Sequence, residues 1–392
     1  MESHLKGSAI REMSELAKEL ARKHGKDKIH DFSMGSPCIP PPKEYYDALK
    51  ETAEDNHDKA HDYASVFGLD EGRIAFAKLL SEIEGIDIPK DCIVQTSGCA
   101  GAMNVFLRTV LDINDEVIIS APYFMEYIGY IENFNGKAVI LDTHFEEGFE
   151  PNIKELENLI SPFTRVIVLN SPNNPLGITI PSERIKQIVE IVRNKMKVYG
   201  RIIYILADNV YCRILFDGEK QPQIFKEYEY SVIAYSLSKD VSIPGERIGC
   251  VCVNPNMPNY SKLVNFLGYS NDILGFCHPN RLHMRIVSKV IPKKSDVEVY
   301  EKTRNVICKI LDEVGLKYIK PKGAFYVFPK IPDGIDEIEF CKTLANNFVI
   351  VVPGSAFGKK GFFRMAFGQP PELIEKNFDI IKHAFEVAIK LK

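Results

Sequence analysis

The sequence predicts an α/β protein, with a mostly parallel sheet in a large domain and a second, smaller α+β domain. Short apolar runs alternate with longer helical patterns through most of the chain, as in parallel βαβ units. This alternation of short apolar runs and helical patterns ends after a long amphipathic pattern at 296–314. Because 392 residues exceed one ordinary core, two domains are expected.

Seven short apolar runs are the strand candidates of the large domain. They lie at 92–95, 116–120, 137–141, 166–170, 202–207, 232–236 and 249–253. Between them, residues 183–198 show helical spacing with isoleucines and valines on one face. Ser182 is the candidate N-cap of that helix.

The chain is expected to divide into an N-terminal arm, a large domain and a small C-terminal domain. These segments are predicted at 1–35, 36–290 and 291–392. In the last of them, runs at 317–319 and 324–328 are typical of antiparallel strands. Helical patterns follow at 337–346 and 371–391, which completes the α+β pattern.

Composition and charge exclude several classes of function. A net charge of −4 gives no general attraction to nucleic acid or anionic membrane, and no apolar run approaches bilayer-spanning length. The first residues lack the apolar region of a signal peptide. Nine cysteines without CxxC spacing indicate reduced thiols, so we expect a cytoplasmic protein. His57 and His61 are spaced i,i+4 without an apparent third ligand, so we expect no metal site.

The most informative segment for function is 236–247. An apolar run at 232–235 predicts a buried strand that ends at Ser236, and Lys239 follows with Ser236 and Ser238 beside it. A lysine just past a buried strand can be partly desolvated, which disfavours its charged form and exposes a nucleophilic amine. A solvated loop lysine is the alternative, and this segment alone leaves both open.

Further motifs accompany this lysine along the chain. A Ser-Pro-Asn-Asn-Pro-Leu-Gly motif at 171–177 follows one strand-like run, and Asp208 and Tyr211 follow another. Far downstream, Arg364 lies in an apolar run. In this order the set resembles the fold-type I pyridoxal-phosphate enzymes, and within them the aspartate aminotransferase family of class I/II aminotransferases. The resemblance runs from Gly35 to Arg364 and implies a three-layer large domain of the PLP-transferase fold, with the N-terminal arm packed on the small domain.

The resemblance implies the cofactor pyridoxal 5′-phosphate (PLP). PLP needs a lysine for covalent attachment and an acid opposite its pyridine nitrogen, and by resemblance these are Lys239 and Asp208. Tyr211 and Asn174 match the pair that hydrogen-bonds the O3′ oxygen of the cofactor. The alternatives are a helix or turn cap for Asp208 and an ordinary turn residue for Asn174.

A phosphate site should combine a helix N-terminus, small residues and a cation. The small-residue loop at 96–103 lies between a predicted strand and a helical run, where its backbone amides could bind phosphate. Small-residue turns are common, so the loop depends on the other motifs for this assignment. The residues assigned to cofactor binding in and around this site are Gly98, Cys99, Ala100, Ser236, Ser238 and Arg247.

Two aromatic residues also match the family. Tyr63 matches a tyrosine that reaches the phosphate of the neighbouring subunit, which implies a homodimer. An ordinary half-buried loop tyrosine is the alternative. Phe124 falls where the family stacks an aromatic ring on the cofactor, and the neighbouring Tyr123 is the alternative.

Arg364 is the predicted anchor of the substrate. A guanidinium binds a carboxylate bidentately and stays charged, which suits the α-carboxylate of an amino acid. A structural ion pair is the alternative, because an unpaired arginine in an apolar run is costly. By resemblance, Gly35 and Asn174 also bind substrate. Side-chain choice is expected to rest on the N-terminal arm, the 123–127 region and the partner subunit, and Arg281 and Arg285 are left open as ligands of a second carboxylate.

The predicted function is PLP-dependent transfer of the amino group of an L-amino acid to a 2-oxo acid by a ping-pong mechanism. The expected substrates are aspartate or an aromatic amino acid with 2-oxoglutarate. One alternative is a PLP-dependent C–S lyase or amino-acid decarboxylase of the same fold, and another is a non-catalytic binding module. Asp240 departs from the family pattern, and the sequence leaves open whether it changes the environment of Lys239 or points to solvent.

Overall fold

The computed structural model describes residues 9–55 and 57–391, which contain three sheets. The strands are β1 (His30–Asp31), β2 (Ile93–Ser97), β3 (Glu116–Ala121), β4 (Lys137–Asp142), β5 (Thr164–Asn170), β6 (Tyr204–Asp208), β7 (Ser231–Ser236), β8 (Ile248–Val253), β9 (Tyr326–Val327), β10 (Val349–Ile350), β11 (Val352–Pro353) and β12 (Phe363–Ala366). The helices are α1 (Ala9–His24), α2 (Lys43–Glu54), α3 (Asp70–Glu84), α4 (Gly98–Val110), α5 (Glu126–Glu132), α6 (Ile153–Leu159), α7 (Ser182–Tyr199), α8 (Ile224–Glu227), α9 (Tyr260–Ile273), α10 (Arg281–Val290), α11 (Val297–Glu313), α12 (Glu337–Asn346), α13 (Pro371–Lys376) and α14 (Phe378–Ala388).

Seven strands form the large sheet in the order β2-β8-β7-β6-β5-β3-β4. Within this sheet β8 runs antiparallel to both of its neighbours, and the other pairs are parallel. The mostly parallel sheet is therefore confirmed. Each of the seven predicted strands is present within two residues at either end.

Helices cover both faces of the large sheet, which gives three layers. Ile205 of β6 packs in the apolar cluster that contains Ile188 of α7, whereas the next residue, Leu206, packs in the cluster that contains Phe106 of α4. Successive side chains of a strand point to opposite faces, so α7 and α4 lie on opposite sides of the sheet. In the described ranges, no helix is both long and apolar enough to cross a membrane.

The C-terminal part of the chain has a small sheet and an apolar cluster of its own. Strand β12 pairs antiparallel with β11 and β9, and Phe325 packs there with Phe340 of α12 and Phe385 of α14. The N-terminal segment joins this part, because β1 pairs with β10 and Ala17 of α1 packs near Ala345. The domain boundaries at 36 and 291 remain predictions.

Three local predictions are wrong. Residues 317–319 form no strand. The Lys317 carbonyl accepts the Lys330 N–H, but no regular ladder of backbone hydrogen bonds continues from this contact. Ser182 is the first residue of α7 and not its cap, and no side chain caps this helix end. The helix predicted at 371–391 breaks at Asn377, whose side-chain amide donates to the Leu373 carbonyl and competes with the backbone.

The carboxyl ends of neighbouring parallel strands bring polar residues together. Asn170 at the end of β5 lies in register beside Asp208 at the end of β6, and Ser236 ends β7. Ligands of open α/β sheets bind at this edge.

Candidate active site

A cavity of about 320 Å³ lies at this edge of the large sheet. Most of the predicted site residues line it: Gly35, Cys99, Ala100, Phe124, Asn174, Asp208, Tyr211, Ser236, Ser238, Lys239, Arg247 and Arg364. Gly98 is not among the lining residues, but it lies close to the guanidinium of Arg247. Tyr63 lies outside the cavity, 89% exposed on the surface.

Lys239 presents a primary amine to the cavity. Its Nζ donates a hydrogen bond to the Gly35 carbonyl across 2.6 Å and lies 5.9 Å from the centre of the Tyr211 ring. Burial lowers the pKa of Lys239 to about 8, with the nearby cations Arg364 and Arg247 adding to the effect. More of this amine is neutral near neutral pH than of an ordinary lysine, so it is more available as a nucleophile and as a proton acceptor.

Asp208 holds a buried carboxylate at the end of β6. Its Oδ2 accepts a hydrogen bond from the Tyr127 hydroxyl at 2.6 Å, and its Oδ1 accepts from the Cys99 thiol at 3.3 Å and the Val210 N–H at 3.4 Å. Burial raises the pKa of Asp208, while these hydrogen bonds oppose the rise because they favour the ionised form. The carboxyl group faces the cavity with a hydrogen-bond donor on each of its oxygens.

Tyr211 and Asn174 also line the cavity. The Tyr211 and Tyr326 hydroxyls form a hydrogen bond of 2.7 Å, and burial raises the pKa of Tyr211 well above its usual value. The Asn174 N–H donates to Oδ1 of Asn170 at 2.8 Å, and the Asn174 Oδ1 accepts from Arg364. The Asn174 side chain therefore binds Arg364, a contact that a role in the turn alone does not require.

Arg364 is 1% exposed and lies between two aromatic rings. Its guanidinium carbon is 5.0 Å from the centre of the Tyr326 ring and 4.8 Å from that of Phe357. Its Nη atoms donate to Asn174 at 3.2 Å and to the Ser33 carbonyl, and its buried Nε has no hydrogen-bond partner among the described residues. The charged Nε is therefore available to an anion that enters the cavity.

The N-terminus of α4 and Arg247 form an anion pocket. Arg247 adopts a left-handed backbone conformation, with φ 54°, and its guanidinium donates to the carbonyls of Pro244 at 2.9 Å and Ser97 at 3.4 Å. Gly98 has φ 71°, which favours glycine, and a Cβ there would lie 2.7 Å from Nη2 of Arg247. Backbone amides at a helix N-terminus together with a guanidinium suit a phosphate.

The sequence profile of the family described as aminotransferase class I and II matches residues 27–381. The chain belongs to this family. It is accordingly an aminotransferase, an enzyme that transfers amino groups, and the family uses PLP. A lysine, a buried acid and an anion pocket on one cavity agree with that assignment.

Named relatives cover nearly the whole aminotransferase chain. Aromatic-amino-acid aminotransferase 2 of Thermococcus litoralis is 30% identical over 95% of this chain and 94% of its own. A probable aspartate aminotransferase of Methanocaldococcus jannaschii is 30% identical over 98% of both chains. The crystal structure of an amino transferase from Eubacterium rectale superimposes with a TM-score of 0.93 at 32% identity, covering 99% of this chain and 97% of that one.

Three contacts of this aminotransferase site were missed by the sequence argument. Tyr127 lies in the 123–127 region that is expected to help choose the substrate side chain, and its hydroxyl also binds Asp208. Asn170, which donates to the Asp208 carbonyl at 2.9 Å, could have been found because it ends the strand beside β6. No local sequence pattern predicts that Tyr326 belongs to the site, since it reaches the cavity from the small sheet.

The structure gives the positions of the residues between which the sequence left a choice. Phe124 lines the cavity of the aminotransferase, whereas the Tyr123 ring packs against Gly358. Arg281 donates to the carbonyls of Ala60 and Lys59, and Arg285 pairs with Asp55. The two arginines are therefore engaged away from this chain's own cavity. No cluster of three metal-binding side chains occurs within the described residues.

Asp240 neither lines the cavity nor points to solvent. It is 1% exposed and forms an ion pair with Arg213 at 2.8 Å. The Asp240 side chain is thus directed into the protein.

Proposed function

We propose that PLP binds in this cavity and that the enzyme transfers the amino group of an L-amino acid to a 2-oxo acid. The observation that carries the proposal is the convergence of Lys239, Asp208 and Arg247 on one cavity. Each supplies one chemical requirement of the cofactor: an amine for covalent attachment, an anion for the ring nitrogen and a cation for the phosphate.

The anion pocket fits the phosphate end of PLP. Backbone amides of Cys99 and Ala100, the hydroxyls of Ser236 and Ser238, and Arg247 would hold it. Gly249 keeps the pocket compact, because a Cβ there would lie 2.7 Å from the carbonyl carbon of Gly98. These donors and this close packing suit a dianion without any metal.

The other side chains fit the ring of PLP. Asp208 would face the pyridine nitrogen as an anion, Tyr211 and Asn174 would bind the phenolic oxygen, and Phe124 would stack on the ring. When bound, PLP supplies an electron sink for the negative charge that develops when a substrate bond at Cα breaks. Asp208 stabilises the protonated ring nitrogen through its buried charge.

Lys239 and Arg364 would act on the substrate. Arg364, fixed by Asn174 and the Ser33 carbonyl, would bind the α-carboxylate and orient Cα toward Lys239. The Nζ of Lys239 would accept the proton from Cα, because its lowered pKa leaves part of it neutral near neutral pH. The Gly35 backbone, close to both Lys239 and Tyr326, would border the same carboxylate.

We propose a homodimer in which Tyr63 reaches the cavity of the partner subunit. The support is a set of exposed apolar side chains on α9, formed by Phe266, Tyr269 and Ile273. The loop that carries Tyr63 is fixed to α9 through Asn271, whose side chain donates to the Val66 carbonyl at 3.0 Å. Such a patch is typical of an interface between subunits.

The proposed substrates are 2-oxoglutarate with aspartate or an aromatic amino acid. Support comes from relatives named for aspartate and for aromatic amino acids and from the aromatic side chains Phe124 and Tyr130 in the cavity wall. We also propose that the enzyme works in the cytoplasm, because all nine cysteines are free, as a reducing compartment requires.

A panel of single substrates tests the proposed reaction. Each common L-amino acid is mixed with the PLP-loaded enzyme, and the visible absorption of the lysine-bound cofactor is followed over one turnover. An aminotransferase loses this absorption with a substrate such as aspartate, releases the corresponding 2-oxo acid and regains the absorption when 2-oxoglutarate is added. Continuous release of pyruvate and ammonia from a cysteine-type substrate, with no acceptor, would support the lyase alternative instead.

A further inference from the structure

Asp240 is the residue directly after Lys239, and its carboxylate is held on the side away from the cavity. Its Oδ2 accepts a hydrogen bond from the Tyr235 hydroxyl at 2.6 Å and from Nη1 of Arg213 at 2.8 Å. Tyr235 is fully buried in β7, the strand that leads to Lys239. The side chain of Asp240 is therefore fixed by two separate elements.

Arg213 also binds the segment that follows α10. Its Nη1 also donates to the Ile291 carbonyl at 3.1 Å, and its Nη2 donates to the Lys293 carbonyl at 3.0 Å. The backbone carbonyl of Asp240 accepts the Ser295 N–H at 2.7 Å. Both the side chain and the backbone of Asp240 are thus bound, directly or through Arg213, to residues 291–295.

The same pair links the two loops that carry the proposed catalytic residues. Arg213 lies two residues after Tyr211 in the loop that begins at Asp208, and Asp240 lies one residue after Lys239. A fixed contact between Arg213 and Asp240 therefore fixes the β6 loop relative to the β7 loop.

Stability alone accounts poorly for this pair. The cost of removing two charges from water often cancels the attraction within a buried ion pair. The buried Oδ1 of Asp240 has no hydrogen-bond partner among the described residues. Burial raises the pKa of Asp240, and Arg213 and Tyr235 oppose that rise. A half-satisfied buried carboxylate is expected where function, more than stability, retains it.

We propose that Asp240 is a positioning residue, which acts through Arg213 to hold the backbone of Lys239 so that Nζ faces the cavity. The proposal rests on the function proposed above for Lys239. The charges that act most strongly on Lys239 are those of Arg364 and Arg247, followed by Asp208. Asp240 acts through its contacts with Tyr235, Arg213 and Ser295, which fix the backbone beside Lys239.

The test measures how fast added PLP becomes attached to Lys239 in cofactor-free, full-length protein. Visible absorption follows the attachment, and borohydride trapping with peptide mapping identifies the lysine. Asp240→Ala should slow attachment by about 100-fold, the effect of a displacement of about 1 Å on a reacting group. Glu84→Gln is the matched control, because Glu84 is also fully buried and accepts the Phe225 N–H, yet lies outside the cavity lining. It should attach PLP at the wild-type rate.

Asp240→Asn keeps the shape and an acceptor oxygen, so it covers the case in which Asp240→Ala does not fold. It should lower kcat about tenfold while the KM for the amino acid stays unchanged, because Arg364 is not displaced. Wild-type attachment rates and kcat in the folded Asp240 variants, with only a lower melting temperature, would show a purely structural role and overturn the proposal. Failure of the wild-type enzyme itself to attach PLP at Lys239 would instead overturn the proposed function.

Discussion

The Tyr127 hydroxyl donates a hydrogen bond of 2.6 Å to Oδ2 of Asp208, although the two residues are 81 positions apart in the sequence. The Cys99 thiol donates to the other carboxylate oxygen at 3.3 Å, so each oxygen has a side-chain donor of its own. Burial favours the protonated acid, whereas both donors favour the carboxylate. The pair of donors thus opposes the effect of burial and favours the anion that the proposed role of Asp208 requires.

Replacing Tyr127 should weaken this anion. Tyr127→Phe removes the shorter hydrogen bond, so the pKa of Asp208 should rise and kcat should fall by roughly 10-fold to 100-fold, as expected for a hydrogen bond to a charged group. PLP affinity should fall with it, measured by titrating cofactor-free protein with PLP. Tyr130→Phe is the control, because Tyr130 lines the same cavity from the same helix. Equal effects of the two substitutions would contradict this role of Tyr127.

The pKa of Lys239 should control its reactivity. In cofactor-free protein, acylation of Lys239 should rise with pH and level off above about 8, because the amine is neutral above its pKa. Arg364→Gln removes a repelling cation, so the inflection should move to higher pH. Asp208→Asn removes an attracting anion and should move it lower. Arg193→Gln on α7, a surface arginine paired with Glu229, should leave it in place. An unmoved inflection in Arg364→Gln would show that the two cations do not interact.

Gly35 should not tolerate a side chain. A Cβ at this position would overlap the Tyr326 hydroxyl, and the Gly35 carbonyl also holds Lys239. Gly35→Ala should therefore raise the KM for the amino acid and lower kcat, whereas Gly129→Ala, where a Cβ meets open space, should change neither. Adding Tyr326→Phe to Gly35→Ala removes the nearest atom and should restore part of the activity. No difference between Gly35→Ala and wild type would contradict the close approach.

The role proposed for Tyr63 makes a prediction about the dimer. Tyr63→Ala should weaken PLP binding without changing the molar mass in light scattering, because its side chain serves the partner's site. Tyr269→Glu, which places a charge on the exposed face of α9, should instead produce monomers. Tyr46→Ala is the control, an exposed tyrosine on α2. A wild-type monomer that binds PLP with full affinity would contradict the proposed dimer.

The sequence predicted the parts of the fold and site that depend on local pattern. The inner strands β5 to β8 of the large sheet are largely apolar runs because both of their faces are covered, and such runs are visible without a structure. Lys239, Asp208 and Ser236 follow these runs directly, so their meeting at one sheet edge follows from the parallel order.

Contacts between residues far apart in the chain could not be predicted from the sequence. Tyr326 meets Tyr211 across 115 positions, and neither side of that contact has a local pattern that indicates the other. The partner of Asp240 was equally hidden, because Arg213 resembles any loop arginine until the fold brings it to the β7 loop. The false strand at 317–319 has a similar cause, since strand formation there depends on a partner that the fold does not supply.

The most direct test of the account is the identity of the lysine that carries PLP. The wild-type enzyme, loaded with PLP and reduced with borohydride, is digested and mapped by mass spectrometry. We predict that the reduced cofactor is found on the peptide that contains Lys239, and that Lys239→Ala loses both this label and the visible absorption. Label on a different lysine, or visible absorption that persists in Lys239→Ala, would contradict the assignment of the active site.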